Sequence, residues 1–166
     1  MIVRPVSEAE YAALGELTVA AYRAIPGVRR EATDGYEHEL RGVRERVEAG
    51  AEVVVALDDD GVLVGGVTYV PDQQNDLAEY ADVDAAGIRM LAVSPDRQRT
   101  GAGTALTAWC VDRAIASGRR RVILHTIAEM TTAHRIYERA GFVRTTSLDW
   151  EPVPGFLLMA FVKELP

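Results

Sequence analysis

At 166 residues the chain fits one domain of ordinary size, and with 48% apolar residues it can bury a sizeable core. A net charge of −7 argues against a nucleic-acid binder, which presents a basic face. One cysteine, Cys110, excludes an internal disulfide framework; no apolar run approaches the ~20 residues of a membrane span, and no charged-then-apolar signal pattern opens the chain, so a soluble cytoplasmic protein is expected.

Residues Ile2 to Val6 read as a short strand. Ser7-Glu8-Ala9-Glu10 has the form of a capping box if Ser7 is the N-cap, and Leu14, Leu17, Ala21 and Tyr22 follow at helical spacing until Ile25-Pro26-Gly27 breaks the pattern. Thr33 or Asp34 can cap a second helix with Tyr36, Leu40, Val43 and Val47 on its apolar side, ended by Gly50. The β-branched runs Ala51 to Leu57 and Val62 to Val70 flank Asp58-Asp59-Asp60-Gly61, a hairpin signal in which the acidic run is a turn. Pro71 to Ala86 is polar and acidic and reads as a surface loop. A strand from Ile88 to Val93, a helix from Gly103 to Ser117, a strand from Arg121 to Ile127 and a helix from Thr131 to Ala140 come next. Phe142 to Thr146 and Phe156 to Val162 close the chain as strands, separated by Trp150 to Gly155. This order predicts an α/β fold with a mixed sheet and helices on both faces. The unit from Ile88 to Ile127 is a parallel crossover if both its strands share that sheet. An edge near the C-terminal strand offers a surface on which two copies could pair as a homodimer.

The chemistry concentrates in Val93 to Thr104. A strand ending in Ser94-Pro95 feeds a loop with Gly101 and Gly103, and a helical pattern follows. Backbone N–H groups at a helix start have no partner within the helix, and glycine lets an anion approach them. A Walker loop is excluded because no lysine follows the glycines, and a dinucleotide fingerprint would need a third glycine. A tight helix start without a ligand is the remaining bland alternative.

Gln98-Arg99-Thr100-Gly101-Ala102-Gly103, placed after Leu91-Ala92-Val93-Ser94-Pro95, resembles the acyl-CoA loop of the GNAT family of N-acetyltransferases. One strand later, Ala133 to Phe142 resembles that family's Ala-x-x-x-Tyr-Glu-x-x-Gly-Phe segment, and the element order agrees from Ile2 to Leu165. The resemblance implies a single GNAT domain over residues 1–166, with a mostly antiparallel mixed sheet in which the Ile88–Val93 and Arg121–Ile127 strands splay apart. It implies acetyl-CoA as co-substrate and a primary amine as acceptor, joined by direct attack in a ternary complex. Backbone groups of Leu91, Ala92 and Val93 would pair with the pantetheine arm, and a backbone N–H there would meet the developing oxyanion. Arg99, Thr100, Gly101, Ala102, Gly103 and Thr104 would hold the pyrophosphate, with Gln98 supporting the loop. Tyr137 would protonate the departing thiolate.

Two positions depart from the family pattern. Met130 stands where an Asn is usual, and Gly87 stands where a Glu often acts on the amine. Glu79, Asp82, Asp84 and His125 are the substitutes for that base. These departures keep open an alternative in which the chain is a non-catalytic acyl-CoA-binding regulatory module.

Cys110 reads as a buried apolar residue, His125 as a satisfied half-buried histidine and His134 as solvent-facing; the three histidines have no metal-ligand spacing, so no metal is expected. Arg119-Arg120-Arg121 reads as a solvated strand entrance or, alternatively, as an attractor for the cofactor's phosphates. Tyr22, Tyr36, Tyr80, Trp150 and Phe156, together with Glu37, Asp82, Asp84 and Asp149, are the aromatic and acidic candidates for the acceptor pocket.

Overall fold

From its N-terminus the chain lays down β1 (Ile2–Pro5), then α1 (Tyr11–Arg23), α2 (Glu37–Arg41) and α3 (Val43–Glu48), then the hairpin of β2 (Glu52–Leu57) and β3 (Leu63–Val70). The second half contains β4 (Ala85–Val93), α4 (Ala102–Ala116), β5 (Arg121–Thr126), α5 (Thr131–Arg139), β6 (Val143–Arg144), β7 (Trp150–Val153) and β8 (Phe156–Glu164). The computed structural model describes residues 1–28 and 35–166; the capping positions Thr33 and Asp34 lie outside the described residues. The sheet runs β1-β2-β3-β4-β5-β8-β6, with β7 also on β8. Every described pairing is antiparallel except β4 with β5. The mixed sheet and the crossover expected from the sequence are therefore present.

Both faces of the sheet are covered, which is why β2 reads as an unbroken apolar run. Alternate side chains go to opposite faces. Val53 and Val55 pack with Leu14 of α1 and Val43 of α3, while Val54 and Ala56 join Leu106, Cys110 and Ala114 of α4. Close approach needs glycine at two neighbouring positions of β3. A Cβ on Gly66 would meet Leu14 Cδ1 at 2.4 Å, and one on Gly65 would meet the Ala92 carbonyl oxygen at 2.7 Å. Leucine can rotate away, but a strand carbonyl cannot. Gly65→Ala is therefore expected to cost about 1–3 kcal/mol, read as a lower urea midpoint, by forcing β4 off β3.

The start of α1 is fastened by Glu10. Its carboxylate accepts the Ser7 backbone N–H at 2.8 Å and is held bidentately by Arg4, at 2.7 and 3.0 Å. The hydrogen bonds from Arg4 contribute most to lowering the Glu10 carboxyl from 4.5 to about 2, against the cost of burial. A value lower in the folded state means stability that is present above pH 4.5 and lost as the pH falls toward 2. Glu10→Gln should cost on the order of 1 kcal/mol at pH 7. It should also flatten that acid limb in denaturation curves taken between those two pH values.

Several boundaries differ from the sequence expectation. The second helix is two helices, because Gly42 takes ψ 57° between them. The Glu39 carbonyl, which also accepts the Gly42 N–H at 3.2 Å, and the Leu40 carbonyl accept the buried Arg46 guanidinium, at 2.6 and 3.2 Å. β4 begins at Ala85, so the loop ends before Ala85-Ala86-Gly87; these small residues have weak strand propensity but are paired with β5, and Gly87 also with Val70. The Trp150–Val153 segment is a strand, since an edge position tolerates Pro152. The strand expected from Phe142 to Thr146 shrinks to Val143–Arg144, where Arg144 is drawn onto Asp149 at 2.6 Å and the chain turns. The C-terminal strand has no open edge along these stretches, because β6 and β7 occupy it in succession.

Candidate active site

The functional geometry begins where β4 leaves β5. Parallel pairing runs from Ala85 opposite Arg121 to Ile88 opposite Leu124 and goes no further. Beyond it, Met90 adopts φ 53°, a left-handed conformation disfavoured for a side chain. The register with β3 slips there, so Met90 and Leu91 face the single residue Val67. Such a bulge bends its strand. Met90 is held in it by burial against Val19 and Leu40.

A cavity of about 790 Å³ opens in this gap. Its floor is Ile88 to Leu91 and His125 to Ile127; Tyr22 and Tyr36 lie on one side and the β7–β8 hairpin, through Trp150 and Phe156, on the other. The Ser94 N–H donates to the Val64 carbonyl at 2.8 Å, so Ser94 faces β3. Strand alternation then turns the backbone of Ala92 toward β3 and that of Leu91 and Val93 toward the gap.

At the end of β4 the chain makes a short turn over Pro95–Arg97 and enters α4. Arg99 at φ 67° and Gly101 at φ 88° both take left-handed backbone. The helix's first bond is from Ala105 N–H to the Gly101 carbonyl at 2.9 Å. Among the described residues, the N–H groups from Gln98 to Thr104 meet no backbone acceptor. Thr100 Oγ1 donates to the Arg97 carbonyl at 2.8 Å and braces the turn; Gln98 is exposed beside it. Ala102 and Gly103 are buried, and a Cβ on Gly103 would stand 2.7 Å from Ile136 Cδ1. That glycine brings α4 against α5, the helix that carries Tyr137.

Tyr137 is 5% exposed, lines the cavity and packs on Phe142 and Phe161. Burial pushes its hydroxyl well above the ordinary tyrosine range. Met130, at the start of α5, lines the same cavity and accepts a hydrogen bond on sulfur from Thr126 Oγ1 at 3.4 Å. The Gly87 position cannot carry a carboxylate as the fold stands, because a Cβ there would lie 2.6 Å from the Tyr80 ring. Tyr80 itself donates to the Val70 carbonyl and is absent from the cavity wall, contrary to the acceptor-pocket expectation.

Of the four substitutes for the base, the structure brings two together. Glu79 reaches into the cavity from the loop before β4, with one carboxylate oxygen 3.2 Å from Arg89 and the other 3.5 Å from His125 Nδ1. Arg89 also donates to the Tyr36 hydroxyl at 3.0 Å. Asp82 is bound to Arg121, and Asp84 is exposed beside it, both at the entrance to β4 and away from the gap. Glu37 and Asp149 are likewise engaged, by Arg23 and Arg144. The acidic wall consists instead of Glu39, Asp76 and Glu79. Glu39 and Asp76 escaped sequence reasoning because nothing in a polar loop or a short helix marks which face closes a pocket.

Other expectations resolve simply. Cys110 is fully buried and burial pushes its thiol up, as suits a core residue. His134 is half-buried, not solvent-facing: its Nε2 is 2.9 Å from the Ile127 carbonyl and its ring lies on Phe161. Arg121 pairs with Asp82 and Glu164, and Arg119 donates to the Val83 carbonyl. The arginine run thus sits at the start of β5, and α4 spans 15 residues, about 22 Å, between it and the glycine turn. That separation removes the reading in which it attracts phosphates. The Asp58 carboxylate caps its own turn by accepting the N–H groups of Asp60 and Val62. Among the described residues no group of three or more His, Cys, Asp or Glu could hold a metal ion, and no helix is long and apolar enough to cross a membrane.

Fold and cleft define a class: α/β proteins in which a parallel strand pair parts beside an amide-rich turn. The acetyltransferase (GNAT) family model matches residues 15–142, and the chain belongs to that family. A mycothiol acetyltransferase of Cellulomonas flavigena is 40% identical over 87 residues, which are 52% of this chain and 25% of that protein. One of Sanguibacter keddieii is 34% identical over 99 residues, 60% of this chain and 30% of that protein. The chain therefore spans between a quarter and a third of these curated relatives. Among solved structures, the PaiA N-acetyltransferase of Thermoplasma acidophilum, in complex with coenzyme A, superposes with a TM-score of 0.76 at 13% identity, covering 99% of this chain and 98% of that one. A phosphinothricin acetyltransferase of Sinorhizobium meliloti, in complex with AcCoA, gives 0.65 at 18% identity, covering 99% and 88%. At such identities the likeness is one of fold.

Proposed function

We propose that the protein transfers an acetyl group from acetyl-CoA to a primary amine, by direct attack while both substrates are bound. The observation that carries this reading is the gap beside β4, which has unpaired turn amides at one end and an acidic, aromatic cavity at the other. The group fits the residues present. The N–H groups from Arg99 to Thr104 would hold the pyrophosphate, beside Gly101, where a Cβ would meet no atom within 4 Å and an anion has room to approach. Leu91 and Val93 would bond the pantetheine arm through their backbone, and Ala92 keeps the strand seated on β3. When bound, acetyl-CoA supplies a thioester whose carbonyl the amine attacks.

The chain's own groups supply the rest. Holding both reactants in one cleft removes the entropic cost of their encounter. A backbone N–H of the Leu91–Val93 stretch would stabilise the oxyanion. Tyr137 keeps its proton across the working pH range and would deliver it to the departing sulfur. Burial opposes the charged form of phenol and thiol alike, so the dry site does not by itself set the transfer against the sulfur. Glu39, Asp76 and Glu79 outnumber Arg89 on the cavity wall, which favours an acceptor arriving as an ammonium ion.

Thiol release from acetyl-CoA with spermidine, tyramine and a short peptide bearing a free N-terminus tests the reading, alongside calorimetry with CoA. Binding accompanied by amine-dependent thiol release is the expected result. Binding with no release for any of these amines would favour the regulatory module, and absence of binding would remove both.

A further inference from the structure

The cavity holds a histidine with one ring nitrogen on a backbone carbonyl and the other beside a carboxylate. His125 Nε2 is 3.0 Å from the Leu148 carbonyl oxygen. A carbonyl can only accept, so Nε2 carries the hydrogen and Nδ1 of the neutral ring presents its lone pair. Nδ1 lies 3.5 Å from Glu79 Oε2. The other Glu79 oxygen is taken by Arg89, so Oε2 also offers a lone pair. Two acceptors at this separation repel unless a proton or a cationic donor lies between them. Asp149, just before β7, is bound bidentately to Arg144 of β6 and also lies within electrostatic reach of His125, while Arg89 pairs with Glu79. Trp150 closes over the ring edge-on, with centroids 6.5 Å apart, and the histidine side chain is 3% exposed.

We propose that His125 Nδ1 is the general base that takes the proton of the acceptor ammonium, with Glu79 holding that ammonium and then the imidazolium, and Arg89 and the Leu148 carbonyl as positioning groups. The proposal rests on the transferase reading above. An ammonium nitrogen can sit within hydrogen-bond reach of both Nδ1 and Oε2, because atoms 3.5 Å apart share such a donor readily. One proton passes to Nδ1. The freed lone pair forms the C–N bond, and the C–S bond breaks with its pair on sulfur. Tyr137 protonates that sulfur, and the second proton shed by nitrogen as the amide forms replaces the one Tyr137 gave up. The arrangement compensates for Gly87: the carboxylate arrives from the loop, through a histidine on β5, and not from β4.

The test is the pH profile of kcat/KM for acetyl transfer to spermidine, tyramine and the peptide. His125→Gln keeps a donor for the Leu148 carbonyl and has no basic nitrogen. It should lower the plateau about 10²–10³-fold and abolish the acidic limb, with the acetyl-CoA Kd from calorimetry unchanged within about twofold. If that variant does not fold, His125→Ala with added imidazole serves, and the expected result is recovery of rate with imidazole concentration. Glu79→Gln should raise the amine KM and lower kcat about tenfold, leaving acetyl-CoA binding intact. A His125→Gln enzyme with the parent rate and parent acidic limb, or a His125→Ala enzyme indifferent to imidazole, overturns the proposal and leaves the transferase reading standing. A parent protein that releases no thiol with any of the three amines overturns both.

Discussion

Replacing Tyr137 by Phe is expected to lower kcat by about 10²–10³-fold while changing the acetyl-CoA Kd by less than about threefold. The ring is buried and fixed by Phe142 and Phe161, so removing one oxygen leaves its packing in place. The loss therefore falls on the step that uses the hydroxyl proton. Single-turnover measurement of thiol release separates that step from binding. Parent-like single-turnover rates in the variant would take Tyr137 out of the chemistry and leave it as a core residue. A proton donor whose burial raises its pKa also predicts no basic limb from Tyr137 below pH 10, because it stays protonated throughout that range.

The second large effect is expected at the glycine turn. Gly101 sits at φ 88° with open space where a side chain would project. Asn and Asp both tolerate left-handed backbone better than other side chains, and they have nearly the same size. Gly101→Asn should thus report the steric and conformational cost, and Gly101→Asp the same cost plus a negative charge beside the diphosphate. We expect Gly101→Asp to bind CoA at least tenfold more weakly than Gly101→Asn, with the gap narrowing as salt is raised. Thermal unfolding gives an independent check, since a ligand that binds the native state raises Tm. Equal affinities in the two variants would place the diphosphate away from this turn.

Much of the architecture was legible because it is written in local patterns. Ser7 and Glu10 announce a helix start, Asp58 to Gly61 announces a hairpin, and three consecutive valines feed both faces of β2. The turn from Gln98 to Thr104 was legible for the same reason: glycine at a helix start has a backbone purpose that does not depend on distant residues. The segments that escaped were those whose state is set by neighbours. Ala85 to Gly87 are poor strand formers made into strand by β3 and β5, and Trp150 to Val153 become a strand because β8 offers an edge. The long second helix fails at Gly42, where a buried arginine from the next turn donates to the carbonyls of Glu39 and Leu40.

The linear chain by itself determined the order of elements, the covered sheet, the amide-rich turn and the tyrosine on α5, since each follows from short-range periodicity and glycine placement. Only the tertiary structure decided which acids line the cleft. Glu79 and His125 are 46 positions apart in sequence, and Asp82 and Asp84 are equally acidic on paper. The bulge at Met90, the loop that folds Tyr80 onto Gly87 and the hairpin that brings Trp150 over the ring put one carboxylate against one imidazole and tie Asp82 to an arginine outside the cleft. Proton transfer needs contact within a few ångströms, and that distance is a property of packing between remote segments, which no local pattern encodes.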